Sequence, residues 1–378
     1  MRTAIVHEWL DTLGGSEKVL EQLLLAFPHA DLYVIVDFFP APLRSLLHGR
    51  TPRPSFIQRL PFARRHFRRY LPLMPFAVEH FDLSSYSLVI SNSHAVAKGV
   101  LTNSSQTHIC YCHTPMRYAW DLQHEYLRSA RLERGPLSWI ARAALDRLRR
   151  WDLRTAPRVD LFLTNSTYVA ARIRKTYARE AVVIPPPVDT AFFQPSDAPR
   201  QDWYFTASRL VPYKRTDLLV EAFSRLPDRK LIVAGDGPLL PRCRSIAGPN
   251  IEFLGHVSDQ ELRRRLQQTR AFLFAAEEDF GILPVEAQAC GTPVICYGRG
   301  GVLDSVLPDL TGIFFDAQTP ASIHETVRRF ESMTFHPSVL RDNASRFSIA
   351  AFRDRFWAAL PAAILERFPQ ACRAPTGL

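Results

Sequence analysis

Short apolar runs recur along this chain, separated by stretches whose apolar residues fall at helical spacing. In the first half, residues 3–6, Leu32–Val36, Leu88–Ser91, Thr107–Cys112, Leu161–Asn165 and Ala181–Ile184 read as strands. In the second half the same reading falls on Trp203–Ala207, Leu231–Ala234, Ile251–Leu254, Ala271–Ala276 and Pro293–Cys296. Short apolar runs without polar alternation fit strands covered on both faces, as in a parallel sheet flanked by helices. The helices are marked too. Val19, Leu20, Leu23, Leu24 and Phe27 share one face of Ser16–Phe27, and Ser166 caps a helix ending near Tyr177. Further helices open at Thr216 or Asp217 and after Ser258 or Asp259, and Phe347–Phe368 is helical with one apolar face. Between the two series stands a stiff, extended Pro185-Pro186-Pro187-Val188-Asp189. The pattern predicts an α/β protein of two doubly wound units joined at that linker.

The candidate chemistry lies where strands end. Glu278 falls in the loop after the Ala271–Ala276 run, and Glu286 falls inside a predicted helix over Ile282–Cys290 closed by Gly291. The helix start at Gly281-Ile282 presents free N–H groups and a positive dipole end, which suits a diphosphate. Two carboxylates beside an anion site make sense if they face hydroxyls, and a sugar nucleotide offers both. A surface loop with a solvated Glu286 is the plainer alternative. Arg209 and Lys214 follow the Trp203–Ala207 run closely enough to reach one diphosphate, the first as a fork and the second as a mobile charge. Gly237, in Gly235-Asp236-Gly237-Pro238, allows close backbone approach, as do Gly14 and Gly15 after the first strand. From the residues alone the Gly14-Gly15 pair is equally a tight turn. His113 closes a strand where open α/β sheets bind ligands, although a lone histidine is more often structural.

The chain has 378 residues and a net charge of +10, with Arg far outnumbering Lys. Such a balance implies an anionic partner. The stretch Phe38–Val78 concentrates it: no acidic residue, eight arginines (44, 50, 53, 59, 64, 65, 68 and 69), and Phe56, Phe62, Phe67, Tyr70, Leu73 and Phe76 between them. That mixture fits an anionic lipid surface, an RNA, or a solvated basic helix pair packed by its apolar side. Arg128–Arg158 is a second basic region, read as long helices with a solvated face. There is no run of 18 apolar residues, and Met1–Glu8 reads as a first strand rather than a signal peptide. The six cysteines form no Cys-x-x-Cys pair, which points to a reduced, cytoplasmic protein with buried thiols. No Asp-x-Asp and no zinc-like spacing occurs, so no metal site is expected.

Glu278 and Glu286, seven residues apart in between, the Phe280-Gly281 inside that gap, and the following Glu-Ala-Gln-Ala-Cys-Gly-Thr-Pro-Val resemble the signature of the retaining glycosyltransferases of family 4. The Arg209/Lys214 segment is similar to that family's phosphate clamp, and His113-Thr114-Pro115 is similar to its cleft histidine. The resemblance implies a GT-B fold: two Rossmann-like domains facing across a cleft, residues 1–187 for the acceptor and 188–346 for the nucleotide sugar, with 347–378 crossing back to the first. It implies that Gly14 and Gly15 lie near acceptor and donor phosphates, and that Val257 borders the nucleobase. Glu286 would hold the ribose, Glu278 the transferred sugar, and the backbone N–H groups of Phe280, Gly281, Ile282 and Leu283 the sugar hydroxyls and phosphate. His113, Arg209, Lys214 and Glu278 form the catalytic set, with no metal and no cofactor beyond the co-substrate. The Trp-Leu-Asp, Tyr-Cys-His-Thr-Pro and Glu-Asp-Phe-Gly contexts look most like bacterial enzymes that move mannose from GDP-mannose in surface polysaccharide assembly. UDP-sugars remain open as donors. The expected partners are a lipid-linked oligosaccharide and the inner face of the cytoplasmic membrane, met through residues 38–78, with no nucleic acid. A non-enzymatic RNA- or anionic-lipid-binding protein is the reading from a different class. A carboxylate-pair glycosidase also stays open, although it would have no use for the Arg/Lys clamp.

Overall fold

The computed structural model describes residues 2–117, 119–121, 123, 127 and 134–366. The chain divides into two compact units, Met1–Pro186 together with the chain from Arg353, and Pro187–Phe352.

The first unit is built on a sheet of strands β1 (Thr3–Leu10), β2 (Asp31–Asp37), β3 (Arg53–Pro54), β4 (Leu88–Ser93), β5 (Thr107–Cys112), β6 (Leu161–Thr164) and β7 (Val182–Val183). Their spatial order is β3-β2-β1-β4-β5-β6-β7, and every pairing is parallel. The second sheet comprises β8 (Trp203–Ala207), β9 (Lys230–Ala234), β10 (Ile251–Gly255), β11 (Ala271–Phe274), β12 (Val294–Tyr297) and β13 (Gly312–Phe315), ordered β10-β9-β8-β11-β12-β13. Both sheets therefore grow outward from a central strand in one direction and then the other. The strand order reverses between β1 and β4 and between β8 and β11, and ligands of open α/β sheets bind beyond the strand ends at such a point.

The unbroken apolar strands follow from burial on both faces. Along β8, Phe205 and Ala207 face one core cluster and Tyr204 the other. Helix Gly15–Ala26 buries Val19, Leu20, Leu23 and Leu24. From Arg353 the last long helix, Ile349–Ala359, packs on this first-unit helix: Phe356 and Trp357 meet Phe27 at 6.1 and 5.5 Å between ring centres, and Arg353 Nε donates to Gln22 Oε1 at 2.9 Å. The expected single helix over Phe347–Phe368 is interrupted at Pro361, and a short turn of helix, Ala362–Leu365, follows. Residues 367 and 368 of that expectation lie outside the described residues. The five described cysteines are buried and free, and burial holds the thiols of Cys243 and Cys290 up at about 11 and about 12. Cys372 lies outside the described residues.

The basic stretch Phe38–Val78 is not a helix pair. It is a string of 3-10 turns with two short helices, Ala63–His66 and Met74–Glu79, broken by prolines 40, 42, 52, 54, 61, 72 and 75. Its residues split into two sets. Ile57, Phe67, Met74, Ala77 and Val78 join the first unit's core. Arg44, Arg53 and Arg68 pair with Asp37, Asp31 and Asp11, and Arg50 donates to the Leu24 carbonyl. Phe56, Phe62, Leu73 and Phe76 stay exposed, Phe62 at 80%. In the same stretch Arg59, Arg64, Arg65 and Arg69 are exposed and have no acidic partner among the described residues. Phe62 also adopts a left-handed backbone, φ 57°, at the start of helix Ala63–His66, a conformation an aromatic residue rarely takes. In the second basic region a single helix, Pro136–Thr155, is described, while residues 128–133 lie outside the described residues.

Candidate active site

In the second unit the reversal point lies between β8 and β11, and the clamp and the first glutamate of the signature belong to the loops that follow these two strands. After β8 the chain turns through Ser208–Val211 into a 3-10 turn, Pro212–Lys214, and Arg215 adopts a left-handed φ of 54° before helix Thr216–Ser224. Lys214 Nζ pairs with Glu278 Oε1, and both side chains are less than one-fifth exposed. Arg209 is exposed and donates to Tyr213 Oη at 3.1 Å, and the Tyr213 ring lies 5.5 Å from Lys214 Nζ. Residues that no motif marked hold this loop in place. Arg215 donates to Gln318 Oε1 at 2.9 Å, and Gln318 Nε2 donates to the Ala275 carbonyl at 2.8 Å. The clamp loop is thereby tied to the end of β11.

Gly281, with φ 88°, opens helix Ile282–Ala289, and Glu286 is only 3% exposed within it. Phe280 sends its ring into the core against Phe347, at 5.5 Å between centres, so only its backbone is available to a ligand. Ile282, Leu283 and Val257 are half-buried. The segment Gly298–Gly301 is locked against the signature loop. Gly301 N donates to the Glu278 carbonyl at 2.8 Å, and a Cβ on Gly301 would lie 2.2 Å from the Asp279 carbonyl oxygen. These glycines serve close packing of two backbones. Gly235 and Gly237 do the same after β9: a Cβ on Gly237 would sit 2.6 Å from the Leu210 carbonyl oxygen. Leu210 N donates to the Asp236 carbonyl at 2.8 Å and Gly235 N to the Gly255 carbonyl at 2.6 Å. The loops after β8, β9, β10, β11 and β12 are thus braced together; they carry Arg209, Lys214, Gly237, Val257, Glu278, Phe280 and Gly281, and helix Ile282–Ala289 carries Ile282, Leu283 and Glu286.

The first unit holds Gly14, Gly15 and His113, likewise around its reversal point. Gly14 precedes helix Gly15–Ala26, and His113 follows β5. A chain of buried polar groups joins them. Gly14 N donates to Glu17 Oε2 at 2.7 Å, Glu17 Oε1 meets His7 Nε2 at 3.2 Å, His7 Nδ1 meets Asn92 Nδ2 at 3.0 Å, and Asn92 Oδ1 meets His113 Nε2 at 2.6 Å. Burial raises the Glu17 carboxyl, but the His7 and Ser16 hydrogen bonds and the neighbouring imidazoles outweigh it and bring it down to about 2. Burial, with the neighbouring His94 and His7 adding to it, lowers His113 to about 3, so the ring is neutral near pH 7. Glu8, next to His7 and fully buried, accepts from Ser93 Oγ and from the backbone N–H groups of His94, Ala95, Val96 and Ala97 at 2.7–3.1 Å. No motif marked Glu8, Glu17, Asn92 or His7. The signal available was a polar residue inside an apolar strand run, which must find partners when buried.

Among the described residues no group of histidine, cysteine and carboxylate side chains is placed to hold a metal ion.

Comparison with known proteins bears on the fold and the family. Residues 13–192 match the model described as Glycosyltransferase Family 4, and residues 188–347 match Glycosyl transferases group 1. A GDP-mannose-dependent monoacylated alpha-(1-6)-phosphatidylinositol monomannoside mannosyltransferase of Corynebacterium glutamicum is 29% identical over 197 residues, 44% of this chain and 51% of that protein. A GDP-mannose-dependent alpha-(1-6)-phosphatidylinositol monomannoside mannosyltransferase of Mycobacterium tuberculosis is 28% identical over 192 residues, 43% of this chain and 50% of that protein. The matches to these two relatives span about half of their length. Among solved structures, Anabaena HepE in complex with UDP superposes with a TM-score of 0.68 at 17% identity, covering 97% of this chain and 100% of that one. Sucrose-phosphate synthase of Thermosynechococcus elongatus gives 0.70 at 18%, covering 97% and 98%. With two parallel-sheet Rossmann-like units and both family models placed end to end along it, the chain belongs to the family 4 glycosyltransferases of the GT-B fold class.

Proposed function

We propose that this chain is a retaining, metal-independent transferase that moves mannose from GDP-mannose to a lipid-linked oligosaccharide at the inner face of the cytoplasmic membrane. The observation that carries the reading is the pairing of Lys214 with Glu278 at the β8/β11 reversal point, beside Arg209 and the start of helix Ile282–Ala289. A diphosphate entering there takes over the Lys214 ammonium and frees the Glu278 carboxylate to accept from a sugar hydroxyl. As the bond from the sugar to the diphosphate breaks, its electron pair leaves on phosphate oxygen, where Lys214, Arg209 and the helix N-terminus stabilise the charge. The acceptor hydroxyl bonds to the same carbon, and its proton passes to the departing diphosphate. Glu286 holds the ribose, and His113 contacts the sugar.

The names of the mannosyltransferase relatives support GDP-mannose. The exposed Phe56, Phe62, Leu73 and Phe76 among unpaired arginines support a lipid surface, where each basic residue contributes about 1 kcal/mol. No helix among the described residues is long and apolar enough to cross a membrane. Thermal unfolding with GDP, GDP-mannose, UDP and UDP-glucose tests the donor. A ligand at about 100 times its Kd adds about 2.7 kcal/mol. A response to GDP and GDP-mannose that Lys214→Ala abolishes is the expected result. A response to UDP and UDP-glucose alone overturns mannose from GDP-mannose and leaves a UDP-sugar transferase, and no response to any nucleotide overturns the transferase.

A further inference from the structure

The hydrogen-bond chain of the first unit has a fixed direction. Asn92 Nδ2 lies 2.8 Å from the Ser16 carbonyl oxygen, which can only accept, so the amide nitrogen must face that way and the amide oxygen must face His113. An amide oxygen cannot donate. At 2.6 Å from it, His113 Nε2 must carry the proton. The same amide nitrogen donates to His7 Nδ1, so His7 carries its proton on Nε2 and gives it to Glu17 Oε1. Glu17 is anchored in turn by Gly14 N and Ser16 Oγ. His7 and Asn92 are register neighbours on β1 and β4, which puts both side chains on one face of the sheet. His113 is half-buried, its carbonyl is held by Asn165 Nδ2 at 3.0 Å, and its Nδ1 has no partner among the described residues and is not a buried orphan.

We propose that Asn92 is a positioning residue that locks His113 in the Nε2–H tautomer and so presents Nδ1 as a hydrogen-bond acceptor for a hydroxyl of the transferred sugar. The sugar-facing part rests on the function proposed above; the tautomer lock does not. The ring can serve as an acceptor because it is neutral. Its charged and titratable neighbours are His7 on β1, His94 after β4 and Glu17 on helix Gly15–Ala26, and the first two oppose a second proton. An Asn92→Asp carboxylate keeps an acceptor toward Nε2 and adds a negative charge, so it must raise the His113 pKa. An Asn92→Leu side chain removes the acceptor and leaves the ring free to exchange tautomers.

The test is 15N NMR of the histidine rings in the full chain, with His113 assigned from the signal lost in His113→Gln. The expected wild-type result is protonated Nε2 and unprotonated Nδ1 through the mildly acidic range. Asn92→Asp should keep that tautomer and titrate at higher pH, and Asn92→Leu should give a mixture. A wild-type ring protonated on Nδ1, which needs no variant to observe, overturns the proposal, as does an Asn92→Leu protein that keeps the wild-type tautomer. If a nucleotide sugar stabilises the protein but leaves the His113 Nδ1 signal in place, the acceptor role is overturned. If no nucleotide sugar stabilises it, the transferase reading fails while the tautomer lock is judged by the wild-type spectrum alone. In turnover, Asn92→Leu should lower kcat/KM by about tenfold, the effect of one hydrogen bond, and Asn92→Asp should recover part of it with a shifted pH profile.

Discussion

The two sheets reverse strand order at equivalent places, and the residues set there differ in kind. Between β1 and β4, Glu8, His7 and Asn92 spend their hydrogen-bonding capacity on other protein groups. Between β8 and β11, Arg209 is exposed, Lys214 has a single acidic partner among the described residues, and the surrounding turns are tightened by glycines until backbones touch. Topology brings polar side chains together beyond the strand ends in both. In the first they are satisfied by the protein itself; in the second they are cations, which under the function proposed above would meet a diphosphate.

That contrast can be broken most forcefully at Glu8. Glu8→Ala leaves four backbone N–H groups and a hydroxyl without their acceptor inside the first unit. It should cost about 4 kcal/mol or more in urea unfolding. A loss below about 1 kcal/mol would mean that the cage is not structural.

Lys214→Ala probes the other reversal point and should behave the opposite way. Turnover should fall by about 10²–10³. Unfolding free energy should change less than for Glu8→Ala, because Lys214 and Glu278 keep some contact with water whereas Glu8 is fully buried. Equal effects on both would erase the distinction between the two sites.

Acid sharpens the comparison further. The histidines lowered by burial, His94, His108 and His113, all lie in the first unit. His108 is fully buried between Ser91 Oγ and the Arg158 carbonyl, and burial brings it down to about 4. Between its ordinary value near 6.5 and that figure, the unfolded chain binds a proton that the folded one does not. Stability therefore falls as pH drops through this window, by up to about 1.4 kcal/mol per pH unit for this group, and stops falling on its account below about pH 4. Glu17 acts lower: its contribution is present above pH 4.5 and is lost as pH falls toward about 2. His108→Gln should flatten the upper part of the profile; an unchanged profile would show that another group carries it.

The smallest effect is expected at the exposed patch. Arg64→Gln should weaken binding to vesicles of anionic phospholipid by about fivefold, the loss of roughly 1 kcal/mol, without changing turnover on a soluble acceptor. Arg53→Gln, which removes a residue already paired with Asp31, should weaken it less. If the two lose binding equally, net charge and not the patch governs docking.

Eleven of the thirteen strands were legible because a buried apolar run leaves a pattern that a reader can follow, whereas the two-residue β3 and the short edge strand β13 were not read from the sequence. The segment around Glu278 and the Arg209/Lys214 pair could be picked out for a related reason: they are local, and the structure brings Lys214 and Glu278 together. Three things were decided only by the tertiary structure. Glu8 and Asn92 gain their roles from partners about 85 residues away in sequence, which no local pattern records. At Gly300 and Gly301 only the Glu278 loop laid against them shows that the glycines are a packing requirement. The stretch Phe38–Val78 has one composition but two fates. Asp11, Asp31 and Asp37 claim Arg68, Arg53 and Arg44, while Arg59, Arg64, Arg65 and Arg69 remain exposed in the same stretch. The sequence alone determined the fold class, two units of parallel sheet flanked by helices, because buried apolar runs are written within a few residues. Which charges stay available was decided by the folded chain, because a charge is neutralised only by what the fold brings beside it.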